Sequence, residues 1–392
     1  MPALQRGLTL IELMISITLG LVITLALIML FLNISRASTD LVRSNLMIEN
    51  GRTAMQILQQ DVAHGGFWGA YVPDFDNLTL TSTPSDVPAE PPPDICLAYS
   101  SATWDTTYLR QLVGLPVQSF DAVPATCTSV ISNLQPNTDI VVVRHAETCL
   151  AGVGNCPAEV ASALYFEVPL CNSVGTPSTS FVMTTTTLPL TLTPTTPQWV
   201  TATLGSGQVM GVDCARPTAK KRKYIANLYY VRSYATTVGD GIPTLVRSRF
   251  DVAGTTLGWQ PVEPLIEGIE SLRVEWGVDS VSEAGSAVNY GAAVNWTSTA
   301  RTATTNRGDG VPDGAYVRCT TAVPCTSAQL MNVVAARIDI LARSTERAPG
   351  YTDTKTYSLG STTAGPFNDG FKRHAFSTVV RLPNVAGRRD TP

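Results

Sequence analysis

The sequence predicts an α+β protein: one long N-terminal helix followed by a β-rich globular region. Three observations carry that expectation. An apolar run from Leu8 to Leu32 leads without a break signal into an amphipathic stripe that ends near Val62. Beyond Phe67 the chain is rich in Thr, Ser, Gly and Pro, and charged residues make up only 15% of the whole. Short β-branched or alternating runs then recur to the end. Such a composition favours strands and loops over surface helices. The 392 residues are enough for one large or two modest domains with a sizeable core.

Residues 1–7 form a short polar leader with one positive charge, Arg6. The apolar run behind it, at about 1.5 Å per residue, is long enough to cross a bilayer as a helix. It lacks the small-x-small exit of an ordinary secretory signal, so Gly7 is the expected processing point. One carboxylate, Glu12, stands inside the run, where an isolated ionisable group is costly and points to a function. Past the bilayer, Leu41, Ile48, Met55 and Val62 recur every seven residues, flanked by Met47, Ala54 and Leu58. That is a helix with one buried stripe. Gly51 is expected to weaken it by about 1 kcal/mol and to favour a bend. His64, Gly65 and Gly66 end it. The helix is therefore placed at 8–66, with its membrane part at 8–32.

Downstream, the prolines of 83–94 require a loop, because Pro cannot donate to a ladder. Strands are expected at 139–144, 163–168, 224–234, 244–250, 271–276, 333–343 and 371–381. Residues 264–270 read as a short helical turn, and 176–204 as an irregular loop or weak edge strand.

The net charge of −4 gives no global reason to expect nucleic-acid binding. The basic run Lys220–Lys223 could touch DNA or an anionic surface, but it reads better as a solvated loop before a strand. All eight cysteines lie beyond residue 90, behind a membrane segment, and so read as disulfides in an oxidising compartment. Cys149 with Cys156 and Cys319 with Cys325 would close short loops. Cys96, Cys127, Cys171 and Cys214 could pair as 96–127 and 171–214, but spacing leaves their connectivity open. Residues 306–313 resemble a calcium loop carrying Asp309 and Asp313. Thr305 and Arg307 stand where further ligands belong, so a polar turn is expected and no metal or other cofactor. There is no nucleophile–base set and no phosphate loop, so an enzyme is not expected.

Gly7 followed by Leu8, Thr9, Leu10, Ile11, Glu12 and Leu13 resembles the class III leader junction of type IV pilins and pseudopilins. Glu49-Asn50-Gly51-Arg52, then Asp61, then Gly65-Gly66-Phe67-Trp68-Gly69 resemble the minor pilin family PilW. So do residues 228–232, 265–272, 334–343 and 371–374. Residues 80–220 carry no such likeness and read as a variable insertion within a globular domain spanning 67–392. The resemblance implies a pilin-like fold. It implies cleavage after Gly7 by prepilin peptidase and methylation of the Leu8 amine, although Leu8 departs from the Phe usual there. It implies that Glu12 faces the Leu8 ammonium of a neighbouring subunit in the filament. The implied role is that of a minor pilin that primes pilus growth and sits in the tip complex, serving twitching and adhesion. Its partners would be other minor pilins, the major pilin, a tip adhesin and the inner-membrane assembly platform. It would wait in the inner membrane with its domain in the periplasm, then move to the pilus tip. A large pseudopilin of a type II secretion system is the nearest alternative. A membrane-anchored surface- or DNA-binding module is another.

Overall fold

A computed structural model describes residues 9–168, 171–173, 176–177, 181–185, 199–203, 209–213 and 220–389. Helix α1 runs unbroken from Leu10 to His64, 55 residues. At about 1.5 Å per residue that is roughly 80 Å of rod. Its first half is apolar and lies clear of the rest of the protein. Its second half buries Met47, Gly51, Ala54, Met55, Leu58 and Val62. These fall at spacings of three and four, so they line one face.

The buried face begins later than the seven-residue pattern implies, because Leu41 remains 65% exposed. At its level the domain offers ionic partners instead. Asp40 pairs with Lys372 at 3.4 Å, and Arg43 pairs with Glu346. Gly51 is also not a bend. It is a buried helical position facing the ring of Phe376.

Two antiparallel sheets meet the helix. In the first, β1 (Val117–Phe120), β2 (Ile140–Ala146), β3 (Lys220–Arg232) and β4 (Thr244–Ala253) are neighbours in that order. In the second, β6 (Val333–Arg343) lies between β5 (Ile269–Val278) and β7 (Arg373–Arg381). The helix rests mainly on β6 and β7. One apolar cluster joins its stripe to both sheets. Leu58 and Val62 share it with Val143 and Tyr229 of the first sheet and with Trp276 and Ile338 of the second. A separate aromatic cluster, including Trp68, Trp104, Phe166 and Tyr224, fills the far side of the first sheet.

Residues 264–270 differ from expectation. Glu263–Glu267 is a strand paired with β4, and Gly268 at φ +77° leads into β5. A Cβ on Gly268 would lie 2.6 Å from the Arg343 carbonyl oxygen, so backbone runs against backbone there. β-branched Ile266 and Ile269 suit the pleat better than a helical turn. A nine-residue helix, Thr106–Gly114, was not expected from the sequence. Asp105 caps it by accepting from the Tyr108 N–H at 2.8 Å.

Candidate functional site

The N-terminal end of α1 is the first candidate. Gly7 and Leu8 lie outside the described residues. Thr9 caps the helix: its hydroxyl accepts from the Glu12 N–H at 3.4 Å. In return the Glu12 carboxylate accepts from the Thr9 N–H at 3.0 Å and from its hydroxyl at 2.8 Å. This reciprocal box fixes Glu12 at the tip of the rod, where the unpaired N–H groups of a helix favour a negative charge. Both donors come from Thr9, and a carboxylate can accept about four hydrogen bonds, so acceptor capacity remains. From Leu10 to Ile34 the large apolar side chains are about half or more exposed. Among the described residues, α1 is the helix long and apolar enough to cross a membrane.

The second candidate is the place where α1 hands over to the domain. Asp61 accepts from the Asn227 side-chain N–H at 3.0 Å, and its Oδ1 lies 3.1 Å from Nε2 of His145. It thus ties the helix to β2 and β3. Gln59 donates to the Thr378 hydroxyl at 2.6 Å, and Asn50 donates to the Glu267 carbonyl at 3.1 Å. The helix's last carbonyls are covered from the far end of the chain. Asn384 donates to those of Ala63 at 3.1 Å and His64 at 3.3 Å. Glu49 and Arg52 stay exposed beside buried Gly51. Two residues of their block therefore face outward while the glycine serves the interior.

The aromatic exit is structural. The Trp68 indole is buried and donates to the Val113 carbonyl at 3.0 Å. Gly69 has φ +67°, and a Cβ there would lie 2.9 Å from Nε of Arg222. The Arg222 guanidinium in turn covers the Phe67 ring at 5.3 Å.

The basic run is not a solvated loop. Lys220–Lys223 opens strand β3, where it pairs with Tyr165–Val168. Lys221 is buried and meets Glu159 at 3.2 Å and Glu167 at 3.5 Å. Lys223 meets Asp251 at 2.7 Å, and Arg222 donates to the Glu147 carbonyl at 3.1 Å. These charges are committed to the domain itself.

In the 306–313 loop, Arg307 is fully buried. Its guanidinium donates to the carbonyls of Phe75 at 3.1 Å, Asn289 at 2.6 Å and Ala292 at 2.7 Å. Asp309 accepts from the Val311 N–H at 2.9 Å. Asp313 accepts from the Ser280 and Val281 N–H groups at 2.8 and 2.7 Å. The two carboxylates thus accept from separate backbone segments, and the buried Arg307 cation stands in the same loop. Among the described residues, no group of three or more His, Cys, Asp or Glu could hold a metal ion.

Among the described residues three disulfides are present: Cys96–Cys127, Cys149–Cys156 and Cys319–Cys325. The side chains of Cys171 and Cys214 lie outside the described residues. The buried cation Arg389 was not expected. Its guanidinium reaches Asp76 at 3.1 Å, Asp279 at 3.2 Å and the Asn332 amide oxygen at 2.7 Å. Burial alone would lower its pKa, but the facing carboxylates outweigh that and push it up. These residues are far apart in the chain and share no motif, so no local signal could have found them.

A long rod with a bare apolar half and a half embedded in its own β-rich domain defines a pilin-like subunit. Residues 3–28 match the model of the prokaryotic N-terminal methylation motif. Residues 228–384 match the model described as type IV pilus-assembly protein W. The chain therefore carries a prokaryotic N-terminal methylation motif ahead of a region that matches the PilW family. The second match covers β4, β5, β6, β7 and the last five residues of β3, but neither α1 nor residues 80–220. No curated protein sequence matches. Among solved structures, the type IV-like pilin TTHA1219 from Thermus thermophilus is 15% identical. The match covers 64% of this chain and 83% of that one, at a TM-score of 0.24. That score is too low to argue from.

Proposed function

We propose that this chain is a minor pilin that helps prime pilus assembly and stands in the tip complex, serving twitching and adhesion. The observation that carries the reading is the division of α1. Its half from Leu10 to Ile34 exposes apolar side chains around the whole circumference, and its other half is fixed in the chain's own core. A bilayer satisfies the first half before assembly, and neighbouring pilin helices can satisfy it afterwards.

The match of residues 3–28 supports cleavage by prepilin peptidase between Gly7 and Leu8, with methylation of the new Leu8 amine. The Glu12 carboxylate, one helical turn further on, is then the docking group for the amine of a neighbouring subunit. Before assembly the domain stands in the periplasm, where its disulfides are stable. Other minor pilins, the major pilin, a tip adhesin and the inner-membrane platform are the partners of this reading. Catalysis plays no part in it.

Deletion of the gene tests the reading, with surface pili, twitching and protein secretion scored side by side. Loss of pili and twitching with intact secretion is expected. Loss of secretion with intact pili would instead assign the chain to a secretion pseudopilus.

A further inference from the structure

A cleft of about 570 Å³ opens beside β1, between the Pro92–Ile95 segment and the Cys319–Cys325 loop. Pro93, Phe120, Val123 and Leu330 give it apolar walls. Two disulfides brace it. Cys96–Cys127 holds the first wall, and Cys319–Cys325 closes the second. Across its floor the Trp276 indole donates to the Ser119 hydroxyl at 2.8 Å, joining the two sheets.

β1 is the edge of its sheet among the described residues. Its register pairs Val117 with Val143 and Ser119 with Val141. The Arg144 N–H donates to the Pro116 carbonyl at 2.8 Å, so Pro116 and Arg144 form a hydrogen-bonded pair. Hydrogen-bonded and non-bonded pairs alternate in an antiparallel ladder. Ser119 therefore falls at a non-bonded position, and its N–H and C=O point away from β2. Ser119 also lines the cleft. Asp94 and Asp121 are the ionisable side chains of the lining, and no Lys, Arg or His accompanies them. Asp121 accepts from the Thr321 N–H at 2.8 Å, and Asp94 accepts from the Thr126 hydroxyl at 2.7 Å.

We propose that this cleft receives an extended segment of a partner polypeptide, laid along β1 as an added strand. The outward backbone groups of Ser119 would take its main-chain hydrogen bonds. Its small apolar side chains would fill the walls, and a Lys or Arg beside them would meet Asp94 and Asp121. Charge complementarity selects that basic flank. The braced walls need little ordering, which favours binding. A small apolar molecule would fill the volume but leave the strand edge without partners. The inference concerns the domain alone and does not depend on where the subunit sits in a filament.

The test installs p-benzoylphenylalanine at Ala122, an exposed lining residue, in the full-length chain inside cells that make pili. Membrane and sheared-pilus fractions are both irradiated and read, so failure to enter pili is separable from failure to bind. The expected product is an adduct with another polypeptide. Its cross-linked peptide should alternate apolar residues and carry Lys or Arg close by. Ser119→Pro removes an N–H that the ladder does not use and should cut the yield at least tenfold. Asp121→Asn should cut it severalfold. The cross-linked segment is also made as a synthetic peptide and titrated against the wild-type full chain in detergent micelles. N-methylation of its alternate amides should abolish binding, whatever Ser119→Pro does to folding. No adduct, a lipid adduct, a self-adduct, or peptide binding that ignores N-methylation would overturn the proposal.

Discussion

The ring of Phe376 on β7 occupies the space where a side chain at Gly51 of α1 would begin. A Cβ on Gly51 would lie 2.1 Å from Cε2 of Phe376. Alanine at this position gains about 1 kcal/mol of helix propensity. Overpacking a core contact of this kind costs about 1–3 kcal/mol. Gly51→Ala should therefore lower the melting temperature of the full chain in detergent. Adding Phe376→Leu should restore part of the loss. Additive single and double variants would mean that the two residues do not constrain each other.

Asp61 holds Asn227 and lies within hydrogen-bond distance of His145, so its removal leaves polar groups of the first sheet without their partner. Asp61→Ala should cost about 1–3 kcal/mol. Asp61→Asn keeps an acceptor and should cost less. Thermal unfolding of the two variants, side by side, checks the order.

Arg307→Ala should be among the most damaging changes in the domain, because it empties a fully buried position and strips a donor from three carbonyl groups, that of buried Phe75 among them. A loss of about 3 kcal/mol or more is expected. Added calcium or a chelator should leave the wild-type melting temperature unchanged. A rise with calcium would show that Asp309 and Asp313 bind it after all.

Burial pushes the Asp86 carboxyl up to about 6, and the nearby Asp74 charge adds to the rise. The N–H groups of Asp74 and Phe75, donated to it at 2.7 and 3.1 Å, limit the shift. The folded state then holds this proton more tightly than the unfolded chain does. Stability should fall as pH rises from about 4 to 6, by up to about 3 kcal/mol from this group. Asp86→Asn should flatten that window. An unchanged pH profile in the variant would place the titration elsewhere.

Glu12→Ala should insert into the membrane and be processed as before, yet enter pili poorly. Immunoblots of membrane and sheared-pilus fractions measure both steps. Normal incorporation would remove Glu12 from the docking role.

The helix was legible because hydropathy and period are local properties. Leu8–Leu32 and the stripe through Val62 announce themselves within any short window. The error at Leu41 and the misreading of Gly51 share a cause: both depend on what β7 and its neighbours present, some 300 residues away. The strands at 139–144 and 333–343 were visible as apolar, β-branched runs, and that at 244–250 by its alternation. Lys220–Lys223 was misplaced because its partners, Glu159, Glu167 and Asp251, are supplied by other strands and loops. The cleft beside β1 had no sequence signal, since loops from three parts of the chain build it. The short-loop cysteine pairs could be read from spacing, whereas Asn384 and Arg389 act on residues from the opposite end of the chain.

The cap that Asn384 places on His64 joins residues 320 positions apart. The second half of α1 therefore stays partly uncovered until β7 and the turn after it have docked on it. Without Asn384 the last carbonyls of α1 would lose their side-chain donor. The second half of the rod and the turn after β7 thus form one cooperative unit, closed only when both have met.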